Sequence, residues 1–140
     1  MIMLPIISCI ILLLLAFIHV YWAFGEKKGI IAVIPQDNHN QRQFTPGKWI
    51  TLLVAGCLFC ACLILGIQSS LIPLIKQPKL VNILSFFCFL VFGLRAIGDF
   101  NYVGLFKKIR KTSFSKMDSI AYTPLCLFLS FTFIYVFMTK

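Results

Sequence analysis

Four stretches of roughly twenty apolar residues, each nearly free of charge, leave this chain few ways to fold. They run over about residues 2–24, 50–70, 80–98 and 119–138. At ~1.5 Å of rise per residue, a helix of that length crosses a hydrocarbon core ~30 Å thick. Lipid offers no partner to backbone N–H and C=O groups, so such runs take the helical form, which satisfies them internally. Four of them within 140 residues leave only short connections. The expectation is an all-α, four-transmembrane-helix bundle, one integral membrane domain over residues 1–140.

Composition agrees. The chain is 60% hydrophobic and 12% charged, against ~25% charged in soluble domains. Its mean hydropathy is +0.95. A net charge of +9 would raise nucleic acid as a partner for a soluble chain. Here the basic residues sit in loops beside apolar runs, where membrane orientation places them, and no nucleic acid is expected. Cys9, Cys57, Cys60, Cys62, Cys88 and Cys126 all fall inside apolar runs. None lies where extracellular bridges form, so they read as small buried residues.

The first run is interrupted only by Pro5, Ser8 and His19. It has neither the basic start nor the small-residue cleavage pattern of a signal peptide, and reads as a retained helix. Tyr21 and Trp22 suit the interfacial aromatic belt. The long first loop, Gly25 to Lys48, holds an apolar piece, Gly29 to Pro35, too short to span. That piece is expected at the interface, or dipping into the bilayer and returning, as a candidate lid. Pro46 suits the start of the second helix. In that helix Gly56 and Cys60, and Cys62, Gly66 and Ser70, form small-residue rows that permit close helix approach. A turn with Pro73 and Pro78 leads to the third run, and a basic connection, Asn101 to Lys116, to the fourth.

Loops one and three hold Lys27, Lys28, Arg42, Lys48, Lys107, Lys108, Arg110, Lys111 and Lys116; the other side has Lys76, Lys79 and Lys140. Basic loops stay in the cytoplasm. The chain is therefore expected in the inner or plasma membrane as a multi-pass protein with both termini outside.

Polar residues recur at one depth. Counting ~1.5 Å per residue, His19 lies ~26 Å into the first span, Arg95 ~22 Å into the third and Asp99 ~28 Å. Tyr122 lies within ~5 Å of the inner end of the fourth, with Thr51 at a matching depth in the second. Cys88, Phe92, Arg95, Asp99 and Tyr102 follow a 4-3-4-3 spacing and share a helix face, as do His19 and Trp22. Arg95 and Asp99, at i and i+4, can pair. Two readings stand side by side. In one, Arg95 snorkels to the boundary with Asp99 as its partner, and His19 makes a cross-bundle hydrogen bond. In the other, His19, Trp22, Arg95, Asp99, Tyr102 and Tyr122 line a ligand site.

Other chemistry finds little support. Cys57, Cys60 and Cys62 do not share one helix face, which speaks against a metal or redox centre. His39 stands beside one acid, Asp37. The carboxylates are Glu26, Asp37, Asp99 and Asp118, too few for a paired-carboxylate mechanism. No nucleotide loop, nucleophile elbow or zinc motif is present. No catalytic residue, metal or cofactor is assigned, and enzymatic activity is left open.

Taken together, His19-Val-Tyr-Trp22-Ala-Phe-Gly25, Ala32-Val-Ile-Pro35, Phe44-Thr-Pro-Gly47, Leu94-Arg-Ala-Ile-Gly-Asp-Phe-Asn-Tyr-Val-Gly104 and Tyr122-x-Pro-Leu-Cys126 resemble a group of small bacterial four-helix membrane proteins catalogued as a domain of unknown function. The resemblance covers nearly the whole chain and implies the same architecture, with no activity to carry over. Glu26 stands where relatives often have a second glycine.

The functional expectation is a membrane protein that binds an anionic lipid or small ligand near the cytoplasmic interface. Arg95 would hold the anion, Asp99 orient it, and His19 add a proton-accepting nitrogen. One alternative is a small transporter, against which stands the lack of a midplane acid. Another is a structural or regulatory subunit, with the aromatic-rich fourth helix (Phe128, Phe131, Phe133, Tyr135, Phe137) against a membrane partner or a second copy.

Overall fold

The computed structural model describes residues 2–25, 47–72, 79–98, 102–108 and 110–139. Among these, the regular structure is helical throughout, without strands. Helix α1 is Met3–Ala23, α2 is Lys48–Gln68 and α3 is Lys79–Ile97. The final helix, α4, spans Ser113–Met138. All four are long and apolar enough to cross a bilayer. The Gly29–Pro35 segment, Pro46, His39 and the Pro73–Pro78 turn lie outside the described residues.

Helices α1 and α2 pack as one hairpin and α3 and α4 as another, joined along a thinner seam. Between 17% and 33% of each span is buried inside the protein. Large apolar side chains such as Phe17, Leu53, Phe87 and Phe131 point outward, as expected where lipid tails replace water as the solvent. The core is correspondingly slim: Leu12 of α1, Ala61, Cys62 and Leu65 of α2, and Leu129, Phe133 and Val136 of α4. Phe92 stacks on Phe133, centroids 5.8 Å apart and planes 15° from parallel.

Small and hydroxylated residues hold the helices close. Ser8 and Thr132, both sealed, are 2.9 Å apart. Thr132 gives its proton to the Phe128 carbonyl at 2.9 Å, so Ser8 donates to Thr132. Ser130 donates to the Phe89 carbonyl at 3.0 Å, next to Gly93, where an added Cβ would approach the Ser130 hydroxyl to 3.2 Å. The Cys9 and Cys62 thiols each donate weakly to the other's carbonyl, at 3.7 and 3.6 Å.

The small-residue rows of α2 divide. Cys62 and Gly66 are buried, while Gly56, Cys57 and Cys60 face outward and a Cβ at Gly56 would meet nothing. The expectation of uniformly buried cysteines therefore fails at Cys57 and Cys60. Both thiols are exposed although they lie within electrostatic reach of Cys88 on α3, and a thiol is apolar enough to face lipid.

The last helix starts at Ser113, six residues before its apolar run. Thr112 caps it, its hydroxyl accepting from the Ser115 N–H at 3.1 Å. Residues Asp118–Tyr122 then form a π-turn before regular α-helix resumes at Thr123. Pro124 accounts for this: it has no N–H for the residue 120 carbonyl, and its ring would press on that carbonyl. A wider turn over 118–122 relieves the clash.

Candidate functional site

Residues 102–107 lie back across the end of α3. Gly98 and Gly104 have φ of +85° and +91°, a region costly for any residue with a Cβ. Their backbones touch. A Cβ on Gly98 would come 2.8 Å from the Gly104 Cα and strike the Val103 carbonyl; one on Gly104 would come 2.6 Å from the Gly98 Cα and strike the Ile97 carbonyl. Beyond the contact, the Leu105 N–H donates to the Ala96 carbonyl at 3.0 Å. The two glycines of the Arg-Ala-Ile-Gly-Asp-Phe-Asn-Tyr-Val-Gly stretch thus set the direction of the loop.

This fold-back delivers two donors to Asp118. Its Oδ2 accepts from Lys107 Nζ at 2.7 Å and from the Gly104 N–H at 2.8 Å. Its Oδ1 accepts from Arg95 Nη2 at 3.2 Å. Asp118 is fully buried and Lys107 is 3% exposed. A buried carboxylate is tolerated only when its lone pairs are filled, and here α3 and loop three supply three donors to one side chain at the π-turn of α4. Among the described residues the cluster holds two cations and one anion, a surplus of one positive charge. The Arg95 side chain is 37% exposed overall. Its Nη1 is nevertheless buried, without a hydrogen-bond partner among the described residues.

Around this hub the expected site residues fall into two groups. Tyr122, one helical turn beyond Asp118, lies close enough to Asp118 and Arg95 to feel both charges, as does Cys126. The Tyr122 ring stands 6.2 Å from that of Phe114. Tyr102 is half-buried in the loop between the paired glycines. His19 and Trp22 form their own pair, rings 5.4 Å apart and edge-on. His19 Nδ1 is 2.7 Å from the Leu15 carbonyl, so it carries the proton and donates, leaving Nε2 as the acceptor. Among the described residues no hydrogen bond, ion pair or ring contact links His19 or Trp22 to Arg95. Thr51 donates within its own turn, to the Gly47 carbonyl at 3.2 Å. Asp99 lies outside the described residues, so the Arg95–Asp99 pairing remains a sequence expectation.

Sequence reasoning passed over Asp118 and Lys107 as site residues. Asp118 entered only as one of four carboxylates, and Lys107 as one cation of a basic loop. The available signal was the Thr112-x-x-Ser115 cap, which starts the helix before Asp118 and brings it into the bundle. No group of three or more His, Cys, Asp or Glu side chains among the described residues is arranged to hold a metal.

Four apolar helices, largely exposed to their surroundings and joined by a basic loop, define a multi-pass membrane protein. The chain belongs to the family described as "Protein of unknown function (DUF3995)", whose model matches residues 12–133. No curated protein and no solved structure matches it.

Proposed function

We propose that this protein binds the anionic group of a lipid or small ligand through Arg95, at an end of the bundle that faces the cytoplasm. The observation that carries this reading is the buried Arg95 Nη1, which has no hydrogen-bond partner among the described residues, in a cluster whose described members carry one surplus positive charge. A guanidinium presents planar donors suited to phosphate or carboxylate. A buried donor left without an acceptor is costly, and an anion placed there answers both the hydrogen bond and the charge. Asp118 keeps Nη2 fixed, so the other nitrogen is aimed in advance. Tyr122, within electrostatic reach of Arg95, places a phenol beside the cluster. Nine basic residues in loops one and three, against three on the other side, support the cytoplasmic placement in an inner or plasma membrane.

The test is titration of purified protein in neutral detergent with short-chain phosphatidylglycerol and, separately, glycerol 3-phosphate. Arg95→Lys retains a cation for Asp118 but loses the planar fork. It should weaken binding at least ~10-fold, about the value of one charge-assisted hydrogen bond. Equal affinity in Arg95→Lys, or wild-type protein that binds neither probe, overturns the reading.

A further inference from the structure

On another side of the Asp118 hub, an open groove of about 450 Å³ runs along α4. Arg110, Lys116 and Ser119 line one end, and Ile120, Pro124 and Leu127 the other. From Lys116 to Leu127 the spacings of three and four keep these residues on one helix face. Eleven residues correspond to ~16 Å along the axis. Over that distance the exposed lining changes from cationic, through a hydroxyl, to fully apolar. Arg95 is not part of it.

We infer that this groove holds one anionic glycerophospholipid of the surrounding bilayer, its phosphate at Arg110 and Lys116 and an acyl chain along Ile120, Pro124 and Leu127. Three features select that occupant. Lys107, which also reaches its wall, is tied to Asp118 at 2.7 Å, whereas Arg110 and Lys116 are exposed and make no ion pair among the described residues. Arg110 is steered by its own Nε–H, which donates to the Lys107 carbonyl at 3.3 Å, leaving its terminal nitrogens for the ligand. The apolar end lies within a membrane span, where acyl chains are the available apolar matter. The polar-to-apolar order along α4 runs from loop three into the span, the same order as headgroup to tail. A soluble anion would use only one end of this surface, and a purely apolar partner would leave the cations unanswered.

This site does not rest on the Arg95 reading, and the two fail separately. Native mass spectrometry of the delipidated protein in neutral detergent measures its affinity for phosphatidylglycerol and phosphatidylcholine. In an Arg95→Lys background, which removes the other proposed phosphate site, one phosphatidylglycerol should bind, in preference to phosphatidylcholine. The variant Arg110→Gln/Lys116→Gln should lose at least ~10-fold in affinity, given about 1 kcal/mol per basic residue near an anionic lipid. Ser119→Trp, which fills the groove and keeps both charges, should lose a comparable factor. Lys108→Gln/Lys111→Gln removes two exposed charges from the same loop but outside the groove, and should stay within ~2-fold. Thermal unfolding of each variant identifies any loss caused by misfolding, and Arg110→Lys/Lys116→Arg, which keeps charge, should then recover binding. Equal losses in the two charge-removing variants would reduce the site to diffuse electrostatics and overturn the inference. So would indifference to headgroup, retained binding in well-folded Ser119→Trp, or binding of free glycerophosphoglycerol as tight as that of the whole lipid. Loss of binding in Arg95→Lys alone, with the groove variants unaffected, would support the Arg95 site and contradict this one.

Discussion

Lys107 Nζ lies 2.7 Å from Asp118 Oδ2, with 2% and 0% of the two side chains exposed. The pair joins a loop residue to the π-turn of α4, and Arg95 ties the same carboxylate to α3 at 3.2 Å. One side chain therefore fastens three segments. Removing one partner of such a pair strands a buried charge, which costs about 3–5 kcal/mol.

Asp118→Asn is expected to destabilise the protein by that order, read as thermal or denaturant unfolding in detergent. Lys107→Met should cost less, because Asp118 keeps Arg95 and the Gly104 N–H. The double variant D118N/K107M should be more stable than the sum of the single effects predicts, by more than ~1 kcal/mol. Strict additivity would mean that the two groups are not coupled.

Gly98→Ala and Gly104→Ala should each cost at least ~2 kcal/mol, from a disfavoured backbone region and a steric clash with the opposite strand of the loop. Gly56→Ala, where the new methyl would meet nothing within 4 Å, should stay within ~0.5 kcal/mol. Equal tolerance at all three positions, by the same unfolding measurement, would argue against the glycine contact.

The fold was legible for a simple reason: run length against bilayer thickness leaves one architecture. The face carrying Cys88, Phe92 and Arg95 was legible as well, and the structure turns Phe92 onto Phe133 and Arg95 onto Asp118. Its expected continuation to Tyr102 fails, because α3 ends at Ile97 and Gly98, with φ of +85°, turns the chain off the helix; Asp99 lies outside the described residues. The partner of Arg95 was harder. Asp118 is 23 residues away, and reaching it depends on a loop reversal set by two left-handed glycines, which no periodicity records. His19 shows the other limit. Its depth along α1 follows from counting residues, but the direction in which it points around the helix axis depends on packing, and its bonds are local. Equal depth does not make contact.

Ser8→Ala should cost only about 0.6 kcal/mol, the average for interhelical hydrogen bonds within membranes. Thr132 would still donate to the Phe128 carbonyl. A loss several times larger in detergent unfolding would show that the Ser8–Thr132 contact at 2.9 Å holds the two hairpins together more firmly than its chemistry suggests.

Orientation can be read by labelling Lys108→Cys, an exposed loop-three position, in a chain whose native cysteines are replaced. A membrane-impermeant maleimide should fail to react in intact cells and react after permeabilisation. Reaction in intact cells would invert the topology.

The chain has three arginines, Arg42, Arg95 and Arg110, few enough for guanidinium signals to be assigned by substitution. The most direct test of the anion site is ¹⁵N–³¹P dipolar dephasing of guanidinium-labelled protein in phosphatidylglycerol bilayers. A phosphate within ~3 Å of Arg95 Nη1, the length of a charge-assisted hydrogen bond, should give strong dephasing of the signal that disappears in Arg95→Lys. An Arg95 signal untouched by phosphorus in that bilayer would contradict the account.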